Sequence, residues 1–224
     1  MRRASAGIWI WGTAVALAVV FTAWYHNWRG PLTAAQVEAY TEQLAARTDI
    51  TPQNLQAIRT FMQDDDGKEF WMLNVIKLHD SAQPHPETGE PTDPADLLTV
   101  YSSAFIGRLL LSAGHPVFVA DKTGPYVDTF GTSATPQWHF VSMVRYRSRR
   151  DLMEAATYEG FPGVHLYKTA AMQRTFNFPT QARLSTFAGP AYAVPFLILF
   201  AAALTHLVVM IRRTRRATPT EQNR

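Results

Sequence analysis

The sequence predicts an α+β chain: a ferredoxin-like βαββαβ domain preceded by a helical hairpin and flanked by two transmembrane helices. Three observations carry this. Between residues 69 and 182 the apolar pattern changes period in the order strand, helix, strand, strand, helix, strand, which is a split βαβ arrangement. Two capped helical stretches precede that segment. Near the ends lie uncharged runs of eighteen and twenty-two residues, Ile8 to Tyr25 and Pro190 to Ile211.

The terminal runs come first in the argument. A helix rises about 1.5 Å per residue, so roughly 20 apolar residues cross a hydrocarbon core about 30 Å thick. Residues 1–29 read as an uncleaved anchor. The apolar run exceeds the roughly 7–15 residues of a signal peptide, and Trp24, Tyr25 and Trp28 stand where small residues would mark a cleavage site. These aromatics suit the membrane interface. Residues 189–212 read as a second span, in which Pro195 is tolerated and His206 is placed near the headgroups or against Thr13 or Thr22. Arg2 and Arg3 precede the first span, and a basic tail, 213–224, follows the second, so the positive-inside rule puts both termini in the cytoplasm. The expected location is the inner (plasma) membrane, with the main domain extracytoplasmic or periplasmic.

Charge agrees with that layout. Seven of the 21 Lys+Arg and one of the 18 Asp+Glu lie outside residues 26–189, leaving this segment 14 basic and 17 acidic residues, a net −3. The pI of about 9.3 therefore reflects membrane topology, and nucleic acid is not an expected partner. Absence of cysteine excludes a disulfide framework and a thiolate metal site.

Within the outer segment, residues 30–68 form the hairpin. Thr33 caps a helix with Val37, Tyr40 and Leu44 on one stripe. Thr51 caps a second, with Pro52 at the first helical position and Asp64-Asp65-Asp66-Gly67 as its stop. FWMLNVIKL, Phe70 to Leu78, reads as a central strand buried on both faces. The proline-rich SAQPHPETGEPTDP is a loop. A helix from Asp96 to Ala113 follows, closed by Gly114, then a short strand PVFVA, Pro116 to Ala120. In WHFVSMVRYRSRRDLMEA a strand places Trp138, Phe140, Ser142, Val144 and Tyr146 on one face, and Ser148 caps the next helix. That helix breaks at Tyr158 to Gly163 and resumes from Val164, and RTFNF, Arg174 to Phe178, is the last strand. Helices cover one sheet face only, so the apolar second face predicts a homodimer formed sheet to sheet.

FWMLNVIKLHD, the Tyr101 helix ending in SAGHPVFVAD, and WHFVSMVRYRSRRDLMEA leading to KTAAMQRT resemble the dimeric α+β-barrel superfamily, closest to a small family of unassigned function. The resemblance covers Phe70 to Pro179 and rests on segment order and local wording. It implies a pocket between sheet and helices. The wider superfamily includes small-molecule monooxygenases, lactone isomerases and haem-dependent enzymes, so it implies no single chemistry.

Asn74 and Lys77 are polar positions in an apolar strand, and a buried polar group without a partner costs about 1–3 kcal/mol. With His79, Tyr101, Trp138, His139 and Arg145 they form the expected pocket lining. Arg149 and Arg150, at a helix start, read as solvated rim. His85, His115 and His165 read as surface or structural histidines, with haem ligation by His165 or His139 a remote alternative. No metal-ligand spacing, nucleophile elbow or phosphate loop is present, and no cofactor is expected. Function is therefore read as binding of a small molecule or partner by a membrane-anchored domain. The alternative is a cofactor-independent enzyme of monooxygenase or isomerase type.

Overall fold

The protein is described by a computed structural model over residues 6–132, 137–186 and 189–217, with side chains to 214. Arg2, Arg3 and the arginine side chains of the tail beyond Thr214 lie outside the described residues. The chain divides into two compact units, residues 1–26 with 185–224, and residues 27–184.

The first unit pairs α1 (Ala6–Tyr25) with α7 (Pro190–Ala217), both long and apolar enough to cross a bilayer. Ala14 and Ala202 are buried between them. His206 has a different neighbour from those expected: its Nδ1 accepts from Trp11 Nε1 at 3.0 Å. Gly7 makes room for the ring, since a Cβ there would stand 3.1 Å from His206 Nε2. Thr22 instead donates to Ala18 O within its own helix, at 2.8 Å.

The second unit begins with α2 (Ala34–Ala45) and α3 (Pro52–Gln63). Thr33 and Gln36 complete a reciprocal capping box, and Thr51 accepts from Asn54 N at 3.1 Å, so both helices start where the hydroxyls predict. Then come β1 (Phe70–Leu78), a two-stranded ribbon of β2 (Gln83–Pro84) and β3 (Pro91–Thr92), and α4 (Pro94–Leu111). The chain continues through β4 (His115–Asp121), β5 (Phe140–Tyr146), α5 (Arg149–Ala156), α6 (Phe161–Ala171) and β6 (Met172–Thr180).

The main sheet has the order β4-β5-β1-β6 and is antiparallel throughout. Each strand–helix–strand crossover passes over one intervening strand, as the split βαβ reading requires. Period 2 then sorts the side chains. Met72, Asn74 and Ile76 stand opposite Val144, Ser142 and Phe140, and Asn74 also faces Asn177, on the side covered by helices. Trp71, Leu73, Val75, Val141, Met143, Phe176 and Phe178 share the other side.

β1 is central, as expected, but only Phe70 and Ile76 along it are fully buried. The helices cover a single face, so the opposite face is half-buried, and Phe176 and Phe178 remain 60% and 46% exposed. Under the helices, Phe70 stacks on Tyr146 at 5.1 Å and both pack with Leu109. A second cluster joins the hairpin to α5 through Val37, Leu44, Met62 and Met153.

Candidate functional site

The arginine-rich junction between β5 and α5 is structural. Arg145 is 2% exposed, on the sheet face away from the helices at the strand's end. Its Nε and Nη2 donate to Glu69 Oε2 at 2.9 and 2.6 Å, and its Nη1 donates to Ala113 O at 2.6 Å. The guanidinium therefore ties β5 to the start of β1 and to the end of α4, and it does not line the cavity described below. Arg149 and Arg150, expected as solvated rim, are buried or nearly so. Arg150 is 3% exposed and donates to Gly30 O, Pro31 O and Gln36 Oε1 at 3.1, 2.9 and 3.2 Å. Arg149 donates to Phe61 O, lies 4.7 Å over the Phe61 ring and approaches Asp65 at 3.7 Å. The hairpin, invisible to a reading of the junction alone, folds onto it and replaces water as the partner. Asp65 is likewise more than a helix stop, accepting from Leu32 N at 2.8 Å and Gly67 N at 3.0 Å.

A cavity of about 680 Å³ opens between the sheet and α4, α5 and α6. Its size lies within the roughly 300–1,000 Å³ of small-molecule sites. β1 contributes Met72, Asn74 and Ile76, β5 contributes Phe140, Ser142 and Val144, and α4 contributes Tyr101 and Phe105. The walls are mainly apolar, with a few converging polar groups.

Of the seven residues expected to form the pocket, Asn74 and Tyr101 line this cavity. Asn74 Nδ2 donates to Met72 O at 3.1 Å and Ser142 O at 3.4 Å, so its polarity is met by the sheet itself. Tyr101 stacks on Phe105 at 5.5 Å, and burial pushes its phenol pKa well up. The other five are elsewhere. Lys77 points to the opposite face and pairs with Asp80 at 3.0 Å. This pairing, ahead of neighbouring charges, holds the Asp80 carboxyl below its ordinary range. His139 accepts from Leu78 N at 3.3 Å and stands 3.7 Å from Asp80. His79 follows the last residue of β1, beside the same aspartate. Trp138 precedes β5 and packs on Phe176 at 5.4 Å, on the outer face, because strand alternation starts at Phe140.

Sequence reading missed Lys168 and Asn177. With the Asn177 nitrogen turned to Thr175 Oγ1 and Phe176 O, at 2.6 and 3.1 Å, its oxygen accepts from Lys168 Nζ at 3.3 Å. The Lys168 ammonium also lies 5.7 Å over the Tyr101 ring. Burial lowers its pKa to about 8, with no charged group contributing. A signal did exist: Lys168 falls seven residues after Phe161, on the same helical face.

Next to the cavity, His165 Nδ1 stands 3.0 Å from Asp49, and its ring stacks on Phe161 at 5.2 Å. Burial, followed by the Lys168 charge, lowers its pKa despite Asp49. No group of three metal-ligating side chains occurs among the described residues.

No protein-family model and no curated protein matches the sequence. A crystal structure of a protein of unknown function from Rhodopseudomonas palustris, a structural genomics target, superposes with a TM-score of 0.50 at 16% identity, covering 61% of this chain and 97% of its own. The likeness is one of fold. The methylated form of that protein gives a TM-score of 0.46 at 17% identity, covering 63% and 98%. SnoaB, a cofactor-independent oxygenase from Streptomyces nogalater, gives 0.34 at 15% identity, covering 53% and 97%.

Proposed function

We propose that this protein is a membrane-anchored small-molecule binding domain, held in the bilayer by α1 and α7 and carrying its ligand between the sheet and α4–α6. The observation that carries the reading is the cavity itself, 680 Å³ lined by apolar walls with Asn74, Ser142, Tyr101, Lys168 and Asn177 converging on it. A domain that bound only protein partners would have no use for an unfilled interior of that size. The two long apolar helices, the basic residues at both chain ends and the acidic balance of residues 26–189 support an extracytoplasmic placement with both termini inside. The apolar outer face of the sheet, with Phe176 and Phe178 bare, supports a second copy of the chain as its cover.

A second reading, a cofactor-independent enzyme, is supported by Lys168, whose amine titrates near the pH at which a buried base works. Native mass spectrometry of the full chain released from nanodiscs tests the first reading. A retained small molecule, or one regained on incubation with a compound library, is the expected result, and a chain that takes up nothing rejects it. Turnover of that molecule in air, without added metal or cofactor, would move the assignment to the enzyme.

A further inference from the structure

The cavity holds one cation without a matching anion. Among the described residues that line it, Lys168 is the single basic side chain. Its other neighbours are a ring face and an amide oxygen, both weak substitutes for water around an ammonium group. Asp121 lines the same cavity but sits exposed at the end of β4 and does not act on Lys168. A charge so shielded from water is stabilised by a partner of opposite sign, and the described residues supply none beside Lys168.

We propose that the cavity takes an organic monoanion, a carboxylate on an apolar body, with its charge against the Lys168 ammonium and its body against Ile76, Phe105, Phe140 and Phe161. This rests on reading the cavity as a small-molecule site. Asn177 holds the ammonium from β6, and the ring of Tyr101 holds it from α4. α5 contributes only Leu152 and Ala156 to the lining, so no like charge competes with the carboxylate from that side. One ammonium within a lining that is mainly apolar and aromatic suits a molecule with one charged head.

The pH dependence has a defined sign. Below about 8 the ammonium is already formed, and binding takes up no proton. Above 8 the free site is neutral, so binding an anion takes up one proton and affinity falls about tenfold per pH unit. The facing phenols, Tyr101 from α4 and Tyr146 from β5, are both pushed up by burial and stay neutral there. His165, on the same helix, is held down and is also neutral there.

The experiment uses the full chain in nanodiscs, corrected against empty discs. 2-Naphthylacetate and decanoate, standing for a soluble acid and a bilayer-derived one, are each titrated beside their uncharged amides. The expected result is at least tenfold tighter binding of one acid over its amide at pH 7. The gap closes above pH 8 and is lost in Lys168→Met, which still binds the amide. The acid showing the gap identifies the source. Equal binding of acid and amide, or a gap that survives in Lys168→Met, overturns the charge assignment. Ser142→Trp, which fills the cavity, separates the two levels. Equal binding that this variant abolishes removes only the anion. Absence of binding by every probe, or binding that the variant leaves unchanged, removes the cavity reading as well.

Discussion

Arg145 and Lys168 are both basic residues in the interior of the second unit, and their surroundings assign them opposite tasks. Arg145 meets a carboxylate and a carbonyl, which match its planar fork. Replacement by Met leaves Ala113 O without its donor while Glu69, partly exposed, regains water. A loss of about 2–3 kcal/mol is expected from urea unfolding at pH 7, with little change in ligand affinity. Lys168 meets neither. Its folded pKa of about 8 lies below the ordinary lysine value, so the unfolded chain binds more protons between about 8 and 10.5. Stability should therefore rise with pH across that window and be lost as pH falls back through 8. Lys168→Met should be the more stable protein at pH 7, on the order of 2 kcal/mol, with a flatter profile. A steeper profile in the variant would contradict this. His165 acts the same way at lower pH: its depressed pKa means stability declines as pH falls below 6.5.

At the scale of one element, the end of α4 shows how a cap differs from its sequence signature. Gly114 reads as the left-handed residue that closes the helix, yet Ala113 has the positive φ, 58°. Gly114 N donates to Leu109 O at 3.0 Å and Ala113 N to Leu110 O at 3.2 Å, which is the paired closure of a Schellman motif. Glycine is needed one residue later because a Cβ there would overlap the Leu109 side chain and crowd Arg145 O. Ala113→Gly should relieve about 1 kcal/mol of left-handed strain, whereas Gly114→Ala should cost more than that through overpacking. Paired thermal melts check both, and a destabilised Ala113→Gly would reject the cap assignment.

The same element scale shows which expectations were within reach of sequence. Thr33, Thr51 and Ser148 each cap the helix they begin, because a cap is decided by residues three apart. Arg149 and Arg150 read as solvated from their neighbours alone, because their partners are distant in the chain: Phe61 and Asp65 for one, Gly30, Pro31 and Gln36 for the other. Trp138 leaves the face that alternation predicts because it lies two residues before the β5 ladder begins. Lys168 carries no local mark of its place in the cavity, because a lysine is solvated by default.

At the scale of the whole molecule, the bare sheet face and the two apolar helices each predict an assembly. On the proposed sheet-to-sheet pairing, the native chain in nanodiscs should register as a dimer by native mass spectrometry and Phe178→Asp as single chains, without altered ligand uptake in the opposite cavity. A dimer that persists rejects the sheet-to-sheet arrangement. Reporter fusions within the β2–β3 ribbon should report an extracytoplasmic position, and a cytosolic signal there would reverse the proposed topology.

What the chain determines by itself is whatever depends on near neighbours: strand and helix periods, caps, the long uncharged runs near both ends, and the split βαβ order. Solvent preference and hydrogen-bond reach settle these within a few residues. Which side chains meet across the cavity depended on register, which set Asn74 against Asn177, and on the helix phase that turned Lys168 inward beside Tyr101. A one-residue slip in strand register would reverse the face a side chain occupies, and one in the helix would turn it by about 100°. The candidate site was therefore only partly readable before the fold was known.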